Sequence, residues 1–283
     1  MRTLLRLSLG GAVLLLILTG CIGGTANVRV VQAQSPLEAP SSVSHAAFDR
    51  LLARHVTQDG LVDYKGVLAS RDSLLIPYLK QLASTDPANL NPDGRLAFWI
   101  NAYNAYTLKL IIDHYPVVSI NDIKPGAGPQ IPKVNSPFQL DVGAVADTVR
   151  SLDEIEHQII RERFDEPRIH FALVCAAISC PPLRGEAYTG ERLDAQLDDQ
   201  ADIFLHTAGK NDVPVPGEEE TIRLSRIFKW FDGDFGGSKA STQRFIAPYF
   251  DGTVREKLEA AAYDVEYHDY DWSLNEGGVR RGQ

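Results

Sequence analysis

The chain has 283 residues, 44% of them hydrophobic and 8% aromatic, which is enough apolar surface for an ordinary globular core. Its 37 acidic residues outnumber 28 lysines and arginines, and the resulting formal charge of −9 repels phosphate backbones, so nucleic acid is excluded as an expected partner. Walker, HExxH and GxSxG patterns do not occur, which leaves nucleotide, zincin and serine-hydrolase chemistry without a motif.

The N-terminus reads as an export signal. Arg2 and Arg6 precede an apolar run from Leu7 to Leu18, too short to span a bilayer, and "LTGC" (Leu18 to Cys21) closes it. Small residues directly before a cysteine resemble the lipobox of bacterial lipoproteins. That resemblance implies cleavage before Cys21 and acylation of its thiol and new amino group, an anchor to a membrane surface that does not span it. Ile22 stands where the inner-membrane retention signal usually has Asp, so the resemblance implies the periplasmic face of the outer membrane, an oxidising compartment. Residues 1–20 are the expected signal peptide and 21–44, small, polar and proline-bearing, the expected tether. A single domain over 45–275 and a disordered tail over 276–283 follow.

Within the domain, "HAAFDRLLARHV" carries Phe48, Leu51, Leu52 and Val56 at helical spacing and stops at "QDG". "LVDYKGV" predicts a short strand or turn and "SLLIPYLKQLAS" a helix. "GRLAFWINAYNAYTLKLIIDHYP" predicts the central helix, because it is apolar nearly all round and ends before Pro116. Residues 121–140, rich in Pro and Gly, predict a long loop. Ser151 and Glu154 form a capping-box pattern at the head of an amphipathic helix. "RIHFALV" predicts a buried strand, and "ERLDAQLDDQADIFLHT" a helix. "IFKWFDGDF" is an aromatic cluster around a turn; "STQRFIAPYF" and "TVREKLEAAAY" are helical, and "DVEYHDYDWSLN" ends the domain as a strand. The class is α+β, mainly helical with a small sheet.

Five segments in this order, "FWINAYNAYTL", "LDEIEHQIIR", "RIHFALVCAAISCPPLR", "LSRIFKWFDGDF" and "YDWSLN", resemble the domain of unknown function numbered 547, found in bacteria and plants. The resemblance covers most of 45–275. It implies a fold similar to the papain-like and transglutaminase-like cysteine hydrolases; the plant members look like partners of other proteins, which implies a non-enzymatic role instead. Fold likeness alone does not decide between them.

Cys175 and Cys180 are the residues on which function turns. Cys175 lies in an apolar run that favours an inert thiol, whereas Pro181 and Pro182 lead Cys180 into a loop, with Arg184 near enough to favour a thiolate. Cys180 is therefore the expected nucleophile. His170 is the first candidate base and His157 the second; Glu154 or Asp153, one turn before His157, could orient that imidazole, and Glu154 or Asp271 is the expected orienting carboxylate. Each residue also has a structural use: a core histidine, a solvated helix face, a capped turn. Asn101 and Asn104, polar in an apolar helix, are expected to hold a buried network or support the site. Zinc is the weakest reading, since no second cysteine pair completes a ligand set, and no cofactor is expected. An oxidising compartment favours a bridge, which needs "AAIS" to turn back on itself. Three readings stay open: a cysteine-dependent hydrolase or acyltransferase on an amide or thioester; a non-catalytic lipoprotein with a Cys175–Cys180 disulfide that binds a partner or small molecule; and a thiol redox protein. Expected partners are the membrane, through the lipid on Cys21, and a peptide, small thiol or protein.

Overall fold

The structure, a computed structural model, describes residues 43–124, 136–215, 217 and 219–278. The expected signal peptide, Cys21 and the tether up to residue 42 lie outside the described residues, as do 125–135 of the expected loop and 279–283 of the tail.

Helix α1 (Ala46–His55) turns Phe48, Leu51 and Leu52 inward. The next segment departs from expectation. Val62 is extended and bridges both Val56 and Glu276, but α2 (Tyr64–Ala69) begins two residues later, because Asp63 Oδ1 accepts from the Gly66 amide at 2.9 Å and so caps a helix. A π-helical stretch, Arg71–Leu75, carries the chain into α3 (Ile76–Ser84).

Helix α4 (Pro92–His114) is the centre of the fold. Asn91 caps it by accepting from Gly94 N at 2.7 Å, and every residue from Leu96 to Leu108 is buried. Such burial on all sides needs its two amides satisfied. Asn101 donates to Tyr188 O at 2.7 Å and accepts from Tyr188 N at 2.9 Å. Asn104 does the same across Ala172 O and Val174 N, at 2.9 and 3.0 Å. No helix of the described residues is long and apolar enough to cross a membrane.

Strands β1 (Asp141–Val145) and β2 (Thr148–Ser151) form an antiparallel hairpin that the sequence pattern did not predict. Its two-residue turn, Ala146–Asp147, has φ of 50° and 57°, the left-handed pair that matches strand twist. Tyr106 of α4 donates to Ala144 O at 2.6 Å and lies against Gly143, where a Cβ would sit 2.6 Å from the ring. The hairpin is thereby pinned to the central helix.

The capping box forms as expected: Ser151 Oγ accepts from Glu154 N and Glu154 Oε2 accepts from Ser151 N, at 3.1 and 2.8 Å. The helix it starts is π-helical over Glu154–Ile160 and returns to α geometry in α5 (Arg161–Arg163). "RIHFALV" is not a strand. Ile169–Ala172 is one helical turn, α6, after which the Asn104 side chain takes up the released backbone at Ala172 and Val174. A buried amide on a neighbouring helix thus overrides the local β preference.

Helix α7 (Leu193–His206) follows, then β3 (Thr221–Leu224), which pairs in parallel with β4 (Asp264–Tyr267) in the register Thr221↔Asp264 to Leu224↔Tyr267. Between the two strands run α8 (Ile227–Trp230), a 3₁₀ turn over Asp232–Phe235, α9 (Lys239–Ile246) and α10 (Gly252–Glu259). Regular strand structure at the C-terminus ends at Tyr267. Beyond it, Ser273, Leu274 and Glu276 make isolated bridges to Ser119, Ala177 and Val62. The α+β expectation holds in its coarse form: the fold is mainly helical, with two two-stranded sheets among the described residues.

Apolar side chains gather in two clusters. One surrounds α4; the other is an aromatic group of Phe171, Phe204, Phe228 and Phe235 beneath β3 and β4. The single turn of α6 feeds both, Ile169 and Ala172 to the first and Phe171 to the second.

Candidate functional site

A cavity of about 240 Å³ opens where the two clusters meet, small against the roughly 300–1,000 Å³ usual for ligand pockets. Six aromatic side chains line it: Tyr103 of α4, Phe138, Trp230 and Phe231 at the end of α8, and Tyr270 and Trp272 of the C-terminal segment. Asp153, Glu156 and His157 reach it from the π-helical turn, and His170 from α6. Cys175 and Cys180 line it as well, with Ser136, Leu173 and Ile227.

The two cysteines form a disulfide across a Cα separation of 6.0 Å. "AAIS" does turn back: Cys180 N bonds to Ala177 O at 3.1 Å, and Ala176 takes a left-handed φ of 60°. The expected difference between the two sulfurs is reversed. Cys180 is 2% exposed and Cys175 is partly exposed, because the loop buries Cys180 against the α4 core instead of releasing it at the prolines. The Cys175 amide donates to Cys180 Sγ at 2.7 Å, and the Tyr270 hydroxyl, 3.1 Å from Cys175 Sγ, donates to a bridged sulfur that has no proton to give. Lys210 donates to the Cys180 carbonyl, and burial pulls its ammonium down to about 8.

This bridged loop is sewn to the segment that bears two of the aromatic walls. Ile178 N bonds to Ser273 O, Ser179 N to Asp271 O and Asn275 N to Ala176 O, at 2.8, 3.2 and 3.1 Å. Asp271 N in turn donates to Ser179 Oγ at 2.9 Å.

Both histidines expected from sequence lie in this cavity with both cysteines; Asp153, an expected partner of His157, is beside it, whereas the carboxylate on His170 is an unexpected one. His170 donates from Nε2 to Asp234 Oδ2 at 2.7 Å and stacks on Phe231 at a ring separation of 4.0 Å. Burial lowers its imidazole to about 4 in spite of that carboxylate, so the ring is neutral at pH 7. Arg161 grips Asp234 through Nε and Nη2, at 2.6 and 2.8 Å, and these bonds hold the carboxyl down at about 2. The same guanidinium donates from Nη1 to His157 Nδ1 at 2.9 Å; the proton of His157 must then sit on Nε2, which is 3.8 Å from Asp153 Oδ1. Glu156 lies beside Tyr103, and burial of its carboxyl raises it above the usual carboxylate range.

The other candidates have structural partners. Glu154 is the capping-box acid. Asp271 is exposed and accepts from Ser273 N at 2.8 Å. Arg184 pairs with Glu186 and Asp199. Asn101 and Asn104 hold the backbone around the site without lining it. Asp234, Glu156, Tyr270 and Arg161 are the site residues that sequence reasoning missed. Arg161 and Asp234 are 73 residues apart, and nothing in the local pattern of "DGDF" separates Asp234 from Asp232. Among the described residues no group of three or more His, Cys, Asp or Glu is arranged to hold a metal ion.

As it stands, the site offers a disulfide in place of thiols, two imidazoles, the carboxyl groups of Asp153, Glu156 and Asp234, and a wall of aromatic rings. That set can enclose and orient a small molecule. No curated protein and no solved structure matches the chain. Residues 87–205, from just before α4 to the end of α7, match the family described as "Protein of unknown function, DUF547", so the chain carries a DUF547 domain.

Proposed function

We propose that this protein is a non-catalytic ligand-binding protein of the cell envelope, in which the Cys175–Cys180 bridge holds the wall of a small aromatic cavity. The observation that carries this reading is the set of hydrogen bonds from the bridged loop to residues 271–275, whose neighbours Tyr270 and Trp272 line the cavity. A bridge across so short a loop adds modestly to global stability, at the low end of about 2–4 kcal/mol, so its use is local: it pre-organises the wall and lowers the ordering cost of binding. The lipobox-like "LTGC" supports a lipid anchor at Cys21 on the periplasmic face of the outer membrane, where a bridge persists.

The His170–Asp234 pair favours a second reading. Reduction would place a Cys175 thiol, an oriented imidazole and its carboxylate around one cavity, the groups of a cysteine hydrolase or acyltransferase and in keeping with the papain-like and transglutaminase-like resemblance. One experiment separates the two readings. Oxidised protein is screened by ligand-observed NMR against small polar molecules, and oxidised and reduced protein are assayed on fluorogenic amide and thioester substrates. The binding reading expects bound ligands in the oxidised state and no turnover in either. Turnover that appears on reduction and vanishes in Cys175→Ser would overturn it.

A further inference from the structure

We propose that the ligand of this cavity is a small organic cation, its charged head against the rings of Trp230, Tyr270 and Trp272 and facing Glu156 and Asp153. The inference rests on the cavity being a binding site and adds the chemistry of what it binds.

Charge comes first. The described lining contains two acids, Asp153 and Glu156, and neither lysine nor arginine. Arg161, the nearest guanidinium to both histidines, is matched by the two oxygens of Asp234. Its remaining contact, to His157 Nδ1, requires a lone pair on that nitrogen. His170 supplies no positive charge at pH 7, and the acids outnumber the lysines and arginines of the described lining. An anionic ligand would meet two carboxyl groups with no lysine or arginine among the described lining residues to offset them, and a neutral one would leave Glu156 without a counter-charge inside the cavity, its help being the Tyr103 hydroxyl and an Arg161 already held by Asp234. A cation supplies that counter-charge. Burial raises the carboxyl of Glu156 in spite of the Tyr103 hydroxyl and the nearby Arg161 guanidinium, and a bound cation would favour its ionised form.

The rings supply the second half of the recognition. Tyr270 lies 4.7 Å from both Trp230 and Trp272, centroid to centroid, so three π-systems form one continuous surface. Their faces carry negative potential and attract a weakly hydrated cation, most strongly at tryptophan. Trp230 lines the cavity and is 45% exposed, which puts it at the mouth. The volume of about 240 Å³ limits the guest to a small molecule.

The test uses three probes of similar shape and different charge: choline, its neutral carbon isostere dimethylbutanol, and the anion dimethylbutanoate. Each is titrated into the oxidised full-length protein and read by tryptophan emission and calorimetry. The expected result is that choline quenches or shifts the emission and binds at least about tenfold more tightly than the neutral isostere, with no detectable binding of the anion. Glu156→Gln should weaken choline by about tenfold and leave the isostere unchanged. Trp230→Ala, at an exposed position, should weaken both and carries the test if the Glu156 variant melts early. Equal affinity for choline and the isostere, or tighter binding of the anion, would overturn the cation and leave the binding site standing. Failure of all three probes would overturn the binding site and the cation together.

Discussion

At the scale of single residues, the site depends on groups whose protonation the fold sets. His170 and His45 are both buried and both lowered from 6.5 to about 4, so between those values the unfolded chain binds protons that the native state does not. Stability contributed by each is present above pH 6.5 and is lost as the pH falls towards 4, on the order of 3 kcal/mol for one histidine. The groups facing His170 are Asp234, Arg161 and His157; Asp234 adds a loss of the same sign further down, between 3.8 and about 2. Melting temperature should therefore fall on acidification from pH 6.5 to 4, and His170→Gln should flatten part of that fall. An identical slope in the variant would place His170 outside the low-pH transition. Asn104 offers a second test. Asn104→Ala strips both Ala172 O and Val174 N of their partner in the core, which should cost about 2–4 kcal/mol, read as a lower denaturant midpoint with the same slope.

At the scale of elements, the bridged loop and the C-terminal segment should behave as one unit. Hydrogen exchange, compared in oxidised and reduced protein, should speed up on reduction at Ile178, Ser179, Asp271 and Asn275, while the amides of α4 stay protected. Unchanged exchange at those four would mean that the bridge does not hold the wall. The contrast between what was legible and what was not has a physical basis here. α4 declared itself through composition, and the capping box through Ser151 and Glu154, since both signals are local. The β1–β2 hairpin did not: its turn is Ala-Asp where Asn-Gly is the usual mark, and the left-handed backbone is imposed by packing on Tyr106. α6 read as a strand because its apolar run is the same length as one, and a partner 68 residues away, Asn104, decided otherwise. The histidines and cysteines could be named from residue type. Asp234 and Glu156 could not, because their roles come from burial and from contacts between distant segments.

At the scale of the molecule, the two apolar clusters meet at α6 and the site sits at their junction, so damage to either core should reach the cavity. Leu110 is 5% exposed in α4; Leu110→Asp places an unpaired charge there and should abolish cooperative melting of the domain by circular dichroism. Wild-type melting would show that α4 is peripheral. The proposed binding role needs the cysteines joined in the native protein, with an aromatic wall held in place and no nucleophile beside His170. Native protein isolated without reductant, treated with iodoacetamide and weighed intact, tests that most directly. The prediction is no adduct on Cys175 or Cys180 before reduction and one on each after reduction and unfolding. An adduct on either cysteine in the native, unreduced protein would contradict it.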